Sequence, residues 1–130
     1  MSAVVAVAVS TYRRPELLSR LLAALEAQSV PLEQVEVVVV DDASGDATWG
    51  VLQHAVEHSP LRLTALRQPV NGGPAAGRER AWRATTAPVI AFTDDDCRPV
   101  PQWLAEGLAA MTAHDPAVVV GRTVPDPEQE

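Results

Sequence analysis

Val89-Ile90-Ala91-Phe92-Thr93-Asp94-Asp95-Asp96 is a short apolar run that ends abruptly in three consecutive carboxylates. The run is brief, rich in β-favouring residues and bounded by Pro88, which marks it as a buried strand. The carboxylates then sit where that strand leaves its sheet. Three like charges held this close repel one another, and two environments accommodate them. One is a solvated acidic turn, since Asp is common just after strands. The other is a divalent-cation site. Hard cations take oxygen ligands, and one or two carboxylates together with substrate phosphates suffice for Mg²⁺ or Mn²⁺.

Working outward, the same kind of unit recurs. Val4 to Ser10 is continuously apolar and β-branched, as expected of a strand covered on both faces. Thr11-Tyr12-Arg13-Arg14 leads from it to Pro15, which suits a first helical turn, with Glu16 favourable to the helix's positive end. Leu17, Leu18, Leu21, Leu22 and Leu25 then form one apolar stripe, and Pro31 closes the unit. Val35 to Val40 is a second strand ending in Asp41-Asp42-Ala43-Ser44-Gly45-Asp46. Asp46 or Ser44 is a candidate cap for a helix with the stripe Trp49, Leu52, Ala55 and Val56, stopped by Ser59-Pro60.

A weaker third strand covers about Arg62 to Leu66, and Asn71-Gly72-Gly73 marks a turn needing positive backbone angles. A helix follows over about Pro74 to Thr85, and then the opening strand. Pro99 to Pro101 lead into a helix over about Gln102 to Thr112 with Leu104, Leu108 and Met111 inward. Ala117 to Val120 reads as a fifth strand. Strand and helix patterns alternate in units of about thirty residues, the signature of βαβ crossovers. The expectation is an α/β fold: a doubly wound, mostly parallel sheet with helices on both faces. Residues 1–124 form its one domain, and 125–130 a loose acidic tail.

Composition narrows the function. The 130 residues carry a formal net charge of −7 and no lysine, which argues against a nucleic-acid binder, since that needs a basic face. An anionic ligand must instead be met by a metal or by locally placed arginines. Cys97 is the single cysteine, so no internal disulfide exists, and a reducing cytoplasm is the expected compartment. Ala3 to Val9 is too short to span a membrane, and no peripheral membrane association is evident.

In doubly wound sheets ligands bind beyond the carboxyl ends of the strands. Those ends read Ser10-Thr11-Tyr12, Asp41-Asp42, Arg67-Gln68 and Asp94-Asp95-Asp96. A tyrosine there can stack on a base. A carboxylate after the second strand can accept from a nucleobase or ribose, or simply form a turn. Arg78, about one turn into the third helix, can reach a phosphate or base, or pair with a nearby carboxylate. Arg80 and Arg83 read as solvated. Trp49, Trp82 and Trp103 read as core or helix–sheet packing, and His54, His58 and His114 as unclustered surface residues.

Four segments, VSTYRRPELLSRLLAALEAQ, VEVVVVDDASGDAT, NGGPAAGRERA and VIAFTDDDCRP, together resemble family 2 glycosyltransferases with the GT-A fold, the last being a DXD-type motif. They run in family order from Val4 to about Trp103. The resemblance implies transfer of a sugar, with inversion, from a nucleotide diphosphate sugar to a saccharide, lipid or other hydroxyl acceptor, using Mg²⁺ or Mn²⁺. It implies that Ser10 and Tyr12 line the nucleobase pocket and that Asp42 binds the base. Arg78 lies on the nucleotide side, Asp95 faces the ribose, and Asp96 with Asp94 holds the metal. Arg13 and Glu79 stand where the family usually has asparagine. The family's general base lies in an acceptor half beyond the fifth strand. Asp126, Glu128 and Glu130 are poor substitutes for it, so a truncated, donor-binding half-domain is expected. The rival readings are a non-catalytic nucleotide-sugar-binding module and a response-regulator receiver. The receiver needs a lysine that this chain lacks.

Overall fold

The apolar run before Thr11 forms β1 (Val5–Thr11), one of the two interior strands of a four-stranded, wholly parallel sheet. The computed structural model describes residues 3–114 and 118–125. Beside β1 lies β2 (Val35–Asp41), with Val5 opposite Val35 and Thr11 opposite Asp41. Next comes β3 (Arg62–Arg67), and on the other side of β1 is β4 (Val89–Phe92), giving the order β3-β2-β1-β4.

The crossovers are α1 (Pro15–Glu26), α2 (Thr48–His58) and α3 (Pro74–Arg83), followed by α4 (Trp103–His114). A 3-10 turn (Leu32–Gln34) precedes β2. Strand periodicity sorts the core into two layers. Val5, Val7 and Val9 of β1 and Val35, Val37 and Val39 of β2 pack against Leu18, Leu21 and Leu25 of α1, Leu52 of α2 and Leu104 of α4. The opposite face, Ala8, Val38 and Val40, packs against Ala81 of α3. Helices therefore cover both faces, as expected.

Small residues let α3 lie close to the sheet. A Cβ placed on Gly77 would come within 2.8 Å of Ser10 Cβ. At the other end of the fold, Gln28 locks α1 to α4. Its Nε2 donates to Val100 O at 2.8 Å and its Oε1 accepts from Leu104 N at 3.1 Å, serving a helix-start amide that has no intrahelical partner.

Three expectations change. Among the described residues the fifth strand does not form: Val118 to Val120 pair with no described strand and are 74%, 41% and 88% exposed, while Ala117 lies outside the described residues. A three-residue β-branched run has the propensity but no neighbouring strand to complete its ladder. Trp82 is 40% exposed instead of packed, because the inward stripe of α3 is Gly77 and Ala81, and Trp82 sits one residue further round the helix. His54 and His58 do cluster, their rings stacked with centroids 4.2 Å apart. Neither proposed cap occupies the N-cap of α2, which is Ala47 and has no side-chain cap bond; Asp46, one residue earlier, accepts from Thr48 N at 2.9 Å. Of the Asn-Gly-Gly turn, only Gly73 has positive φ, at 90°. Among the described residues no helix is long and apolar enough to cross a membrane. The tail carboxylates Asp126, Glu128 and Glu130 lie outside the described residues.

Candidate functional site

The chain winds from β1 to β2 to β3 in one direction, then returns over α3 to place β4 on the other side of β1. That reversal puts the topological switch point between β1 and β4, where a crevice opens beyond the carboxyl ends. Ala8 is opposite Phe92, so three residues further on Thr11 meets Asp95. Thr11 Oγ1 donates to Asp95 Oδ2 at 2.9 Å, and Arg14 Nη1 donates to Asp95 Oδ1 at 3.2 Å. Asp95 is thereby buried, while its neighbours Asp94 and Asp96 are exposed.

The three carboxylates thus take different positions. Arg14 Nη1 also lies 3.4 Å from Asp96 Oδ2, and Arg78 Nη1 lies 3.6 Å from Asp94 Oδ1. Arg78 forms the carboxylate pair that was one of its two expected roles. Asp94, Asp96 and Cys97 each offer a ligand atom within 4.8 Å of the others. Two carboxylate oxygens, exposed and adjacent, fit the donor set of Mg²⁺ or Mn²⁺, which keep waters and phosphate oxygens in their remaining positions. Asp94, Asp96 and Arg78 line an open cleft of about 1440 Å³ together with Trp82, Phe92 and Trp103.

Ser10, Tyr12 and Asp42 do not line that cleft; they lie along the β1 and β2 ends. Tyr12 is 39% exposed, with the Arg13 guanidinium 5.2 Å from its ring centroid. Ser10 packs beneath Gly77 of α3. Asp42 is 2% exposed, and its carboxylate is already engaged: Oδ1 accepts from Gly72 N at 2.8 Å and Oδ2 from Gly73 N at 2.9 Å. It fixes the Gly-rich turn ahead of α3, a turn-forming role held alongside any contact with a ligand. Each of its oxygens keeps a second lone pair for one.

The β1 and β2 loops are tied together under strain. Arg13 and Ala43 have φ of 53° and 61°, the left-handed region that costs non-glycine residues roughly 1–2 kcal/mol each. Arg13 N donates to Ser44 Oγ and Arg13 Nε to Ser44 O, both at 2.9 Å. Ser44 Oγ in turn donates to Asp41 Oδ1. Asp41 is fully buried as the turn former of this loop.

Thr11 and Arg14 carry contacts that the sequence reading passed over. Strict alternation from Val5 through Val9 would have set Thr11 on the α1 face. Arg14 carried its own signal: it is the N-cap of α1, a position that favours Ser, Thr, Asp or Asn and disfavours a cation.

The model of glycosyl transferase family 2 matches residues 6–129. The chain belongs to that family. It is 34% identical over 114 residues to validoxylamine A glucosyltransferase of Streptomyces hygroscopicus subsp. jinggangensis, covering 88% of this chain and 27% of that one. Glycosyltransferase AglE of Haloferax volcanii is 29% identical over 109 residues, with 83% and 35% covered. Among solved structures, S. aureus TarS 1-349 in complex with UDP-GlcNAc superposes with a TM-score of 0.79 at 29% identity, covering 94% of this chain and 37% of that one. The mannosyltransferase PcManGT of Pyrobaculum calidifontis, in complex with GDP-Man and Mn²⁺, gives 0.79 at 31% identity, with 85% and 33% covered. The family 2 chain described here thus spans 27% to 37% of these relatives, and has the GT-A fold of their amino-terminal part.

Proposed function

We propose that residues 1–124 are the donor-binding part of an inverting glycosyltransferase and take up a nucleotide diphosphate sugar together with Mg²⁺ or Mn²⁺. The observation that carries this reading is the division of labour among the three carboxylates at the β1–β4 switch point. Asp95, buried and held by Thr11 and Arg14, is a fixed acceptor suited to a ribose hydroxyl. Asp94 and Asp96, exposed beside it, are placed to hold a cation. Relatives named as complexes with UDP-GlcNAc and with GDP-Man and Mn²⁺ support the same ligand class.

In this reading the base stacks on Tyr12 near Ser10, with Asp42 accepting from its edge while keeping the Gly72-Gly73 turn in place. Arg78 moves its charge between Asp94 and a phosphate oxygen. The bound cation supplies neutralisation of the diphosphate as it becomes the leaving group. Two phosphates approaching Asp94, Asp95 and Asp96 without it face repulsion of several kcal/mol at an effective dielectric of about 20. The acceptor is a hydroxyl compound.

Chemical-shift mapping with uridine and guanosine diphosphate sugars tests the placement. Shifts confined to the ends of β1 and β2, the Gly-rich turn, Arg78 and residues 94–97 are expected with Mn²⁺ replaced by Mg²⁺ to avoid broadening. Shifts centred on Trp82 and Phe92, with none at Tyr12 or Asp42, would place the nucleotide elsewhere.

A further inference from the structure

Arg14 is in an unfavourable place for a cation. It is the N-cap of α1, its side chain makes no capping hydrogen bond, and the positive end of the helix dipole lies beside it. Its guanidinium instead spans two carboxylates, 3.2 Å from Asp95 Oδ1 and 3.4 Å from Asp96 Oδ2. Asp96 is also one of the clustered candidate ligands, with Asp94 and Cys97. The same carboxylate therefore has two suitors, the arginine and a divalent cation. Both cannot keep it closely without repelling each other.

We infer that Arg14 competes with the cation for Asp96 and couples cation uptake to the arrival of the diphosphate. The inference rests on the proposed nucleotide reading and goes beyond it. Without the anion, Arg14 holds Asp96 and weakens the hold on a metal. When a diphosphate arrives with the metal, Asp96 goes to the cation and the arginine fork turns to a phosphate oxygen, a planar bidentate match. The half-exposed side chain, 49% accessible, has room to make that turn while Thr11 keeps Asp95 in place. Arg78 provides the parallel pair on the Asp94 side, so the acidic triad is flanked by an arginine at each end. The consequence is that metal and nucleotide bind together more strongly than either alone.

The test is Mn²⁺ binding by wild type, Arg14→Gln and Arg14→Lys, read from the free-ion paramagnetic resonance signal with and without uridine or guanosine diphosphate. Circular dichroism checks that each variant is folded. The expected result for Arg14→Gln is tighter Mn²⁺ binding without nucleotide, by up to about tenfold for one half-exposed charge. Its affinity for nucleotide with Mn²⁺ falls and the coupling between the two is lost, whereas Arg14→Lys keeps part of it. If wild type binds nucleotide with Mn²⁺ but Arg14→Gln binds Mn²⁺ alone no more tightly, Arg14 is not a competitor and only this inference falls. If no protein takes up Mn²⁺ with or without nucleotide, both this inference and the proposed metal site fall.

Discussion

Thr11 and Asp95, 84 residues apart in sequence, are joined by a 2.9 Å hydrogen bond across the switch point of the sheet. The bond follows from register: with Ala8 opposite Phe92, the residue that ends β1 must meet the middle carboxylate of the triad. It turns Asp95 inward and leaves Asp94 and Asp96 outward, so one sequence motif presents two kinds of carboxylate.

Thr11→Val removes the donor while keeping the shape. A buried carboxylate that loses a hydrogen bond costs about 1–3 kcal/mol, so urea unfolding should show a loss of that size, and nucleotide affinity should fall with it. Thr11→Ser should restore most of both. An unchanged urea midpoint in Thr11→Val would mean that Arg14 alone holds Asp95.

Asp42→Ala removes the acceptor for both Gly72 N and Gly73 N. Charge-assisted bonds of this kind are worth roughly 1.5–3 kcal/mol, so stability should fall along with nucleotide affinity. Hydrogen exchange at the Gly72 and Gly73 amides should speed up before the rest of the sheet changes. Slow exchange at those amides in the variant would show that another group holds the turn.

Gly77→Ala forces a methyl group against Ser10, whose Cβ lies 2.8 Å from the position it would take. Overpacking of this kind costs typically 1–3 kcal/mol. A lowered Tm is expected, together with a shift of α3 that disturbs the Arg78–Asp94 pair. Adding Ser10→Gly should recover much of the loss. A Tm equal to wild type would show that α3 moves away without cost.

Asp46 gives a pH dependence of stability. Thr48, whose amide donates to it at 2.9 Å, and then the charge of Arg13 hold its carboxyl below the ordinary 3.8. A folded-state value below the unfolded one means that the contribution is present above 3.8 and is lost as pH falls through the lower folded value. Asp46→Asn keeps an acceptor oxygen and removes the charge. Its stability deficit in urea should be visible at neutral pH and should close in acid. A deficit that persists unchanged in acid would contradict the charge as its cause.

The alternation of strands and helices was legible because Val5 to Val9 and Val37 to Val40 are buried on both faces and read as unbroken apolar runs. The acidic triad was legible as a site because it ends such a run. Thr11 was less visible beside Ser10 and Tyr12, since only the two-residue period separates the face that meets α1 from the face that meets Gly77. Propensity misleads at Val118 to Val120, where β-branched side chains have no strand to pair with among the described residues. It misleads again at Trp82, a large apolar residue in a helix whose inward stripe is Gly77 and Ala81. The second role of Asp42 depends on where a turn thirty residues away folds back, which local pattern does not encode.

The most direct test of a metal-assisted nucleotide site at the β1–β4 switch point is calorimetric titration of the chain with uridine and guanosine diphosphate, first with Mn²⁺ and then with EDTA. Net charge of −7 and an exposed Asp94–Asp96 pair predict measurable binding of at least one nucleotide with Mn²⁺, and a large loss of affinity when EDTA removes it. Equal affinity in the two conditions would contradict the role given to Asp94 and Asp96.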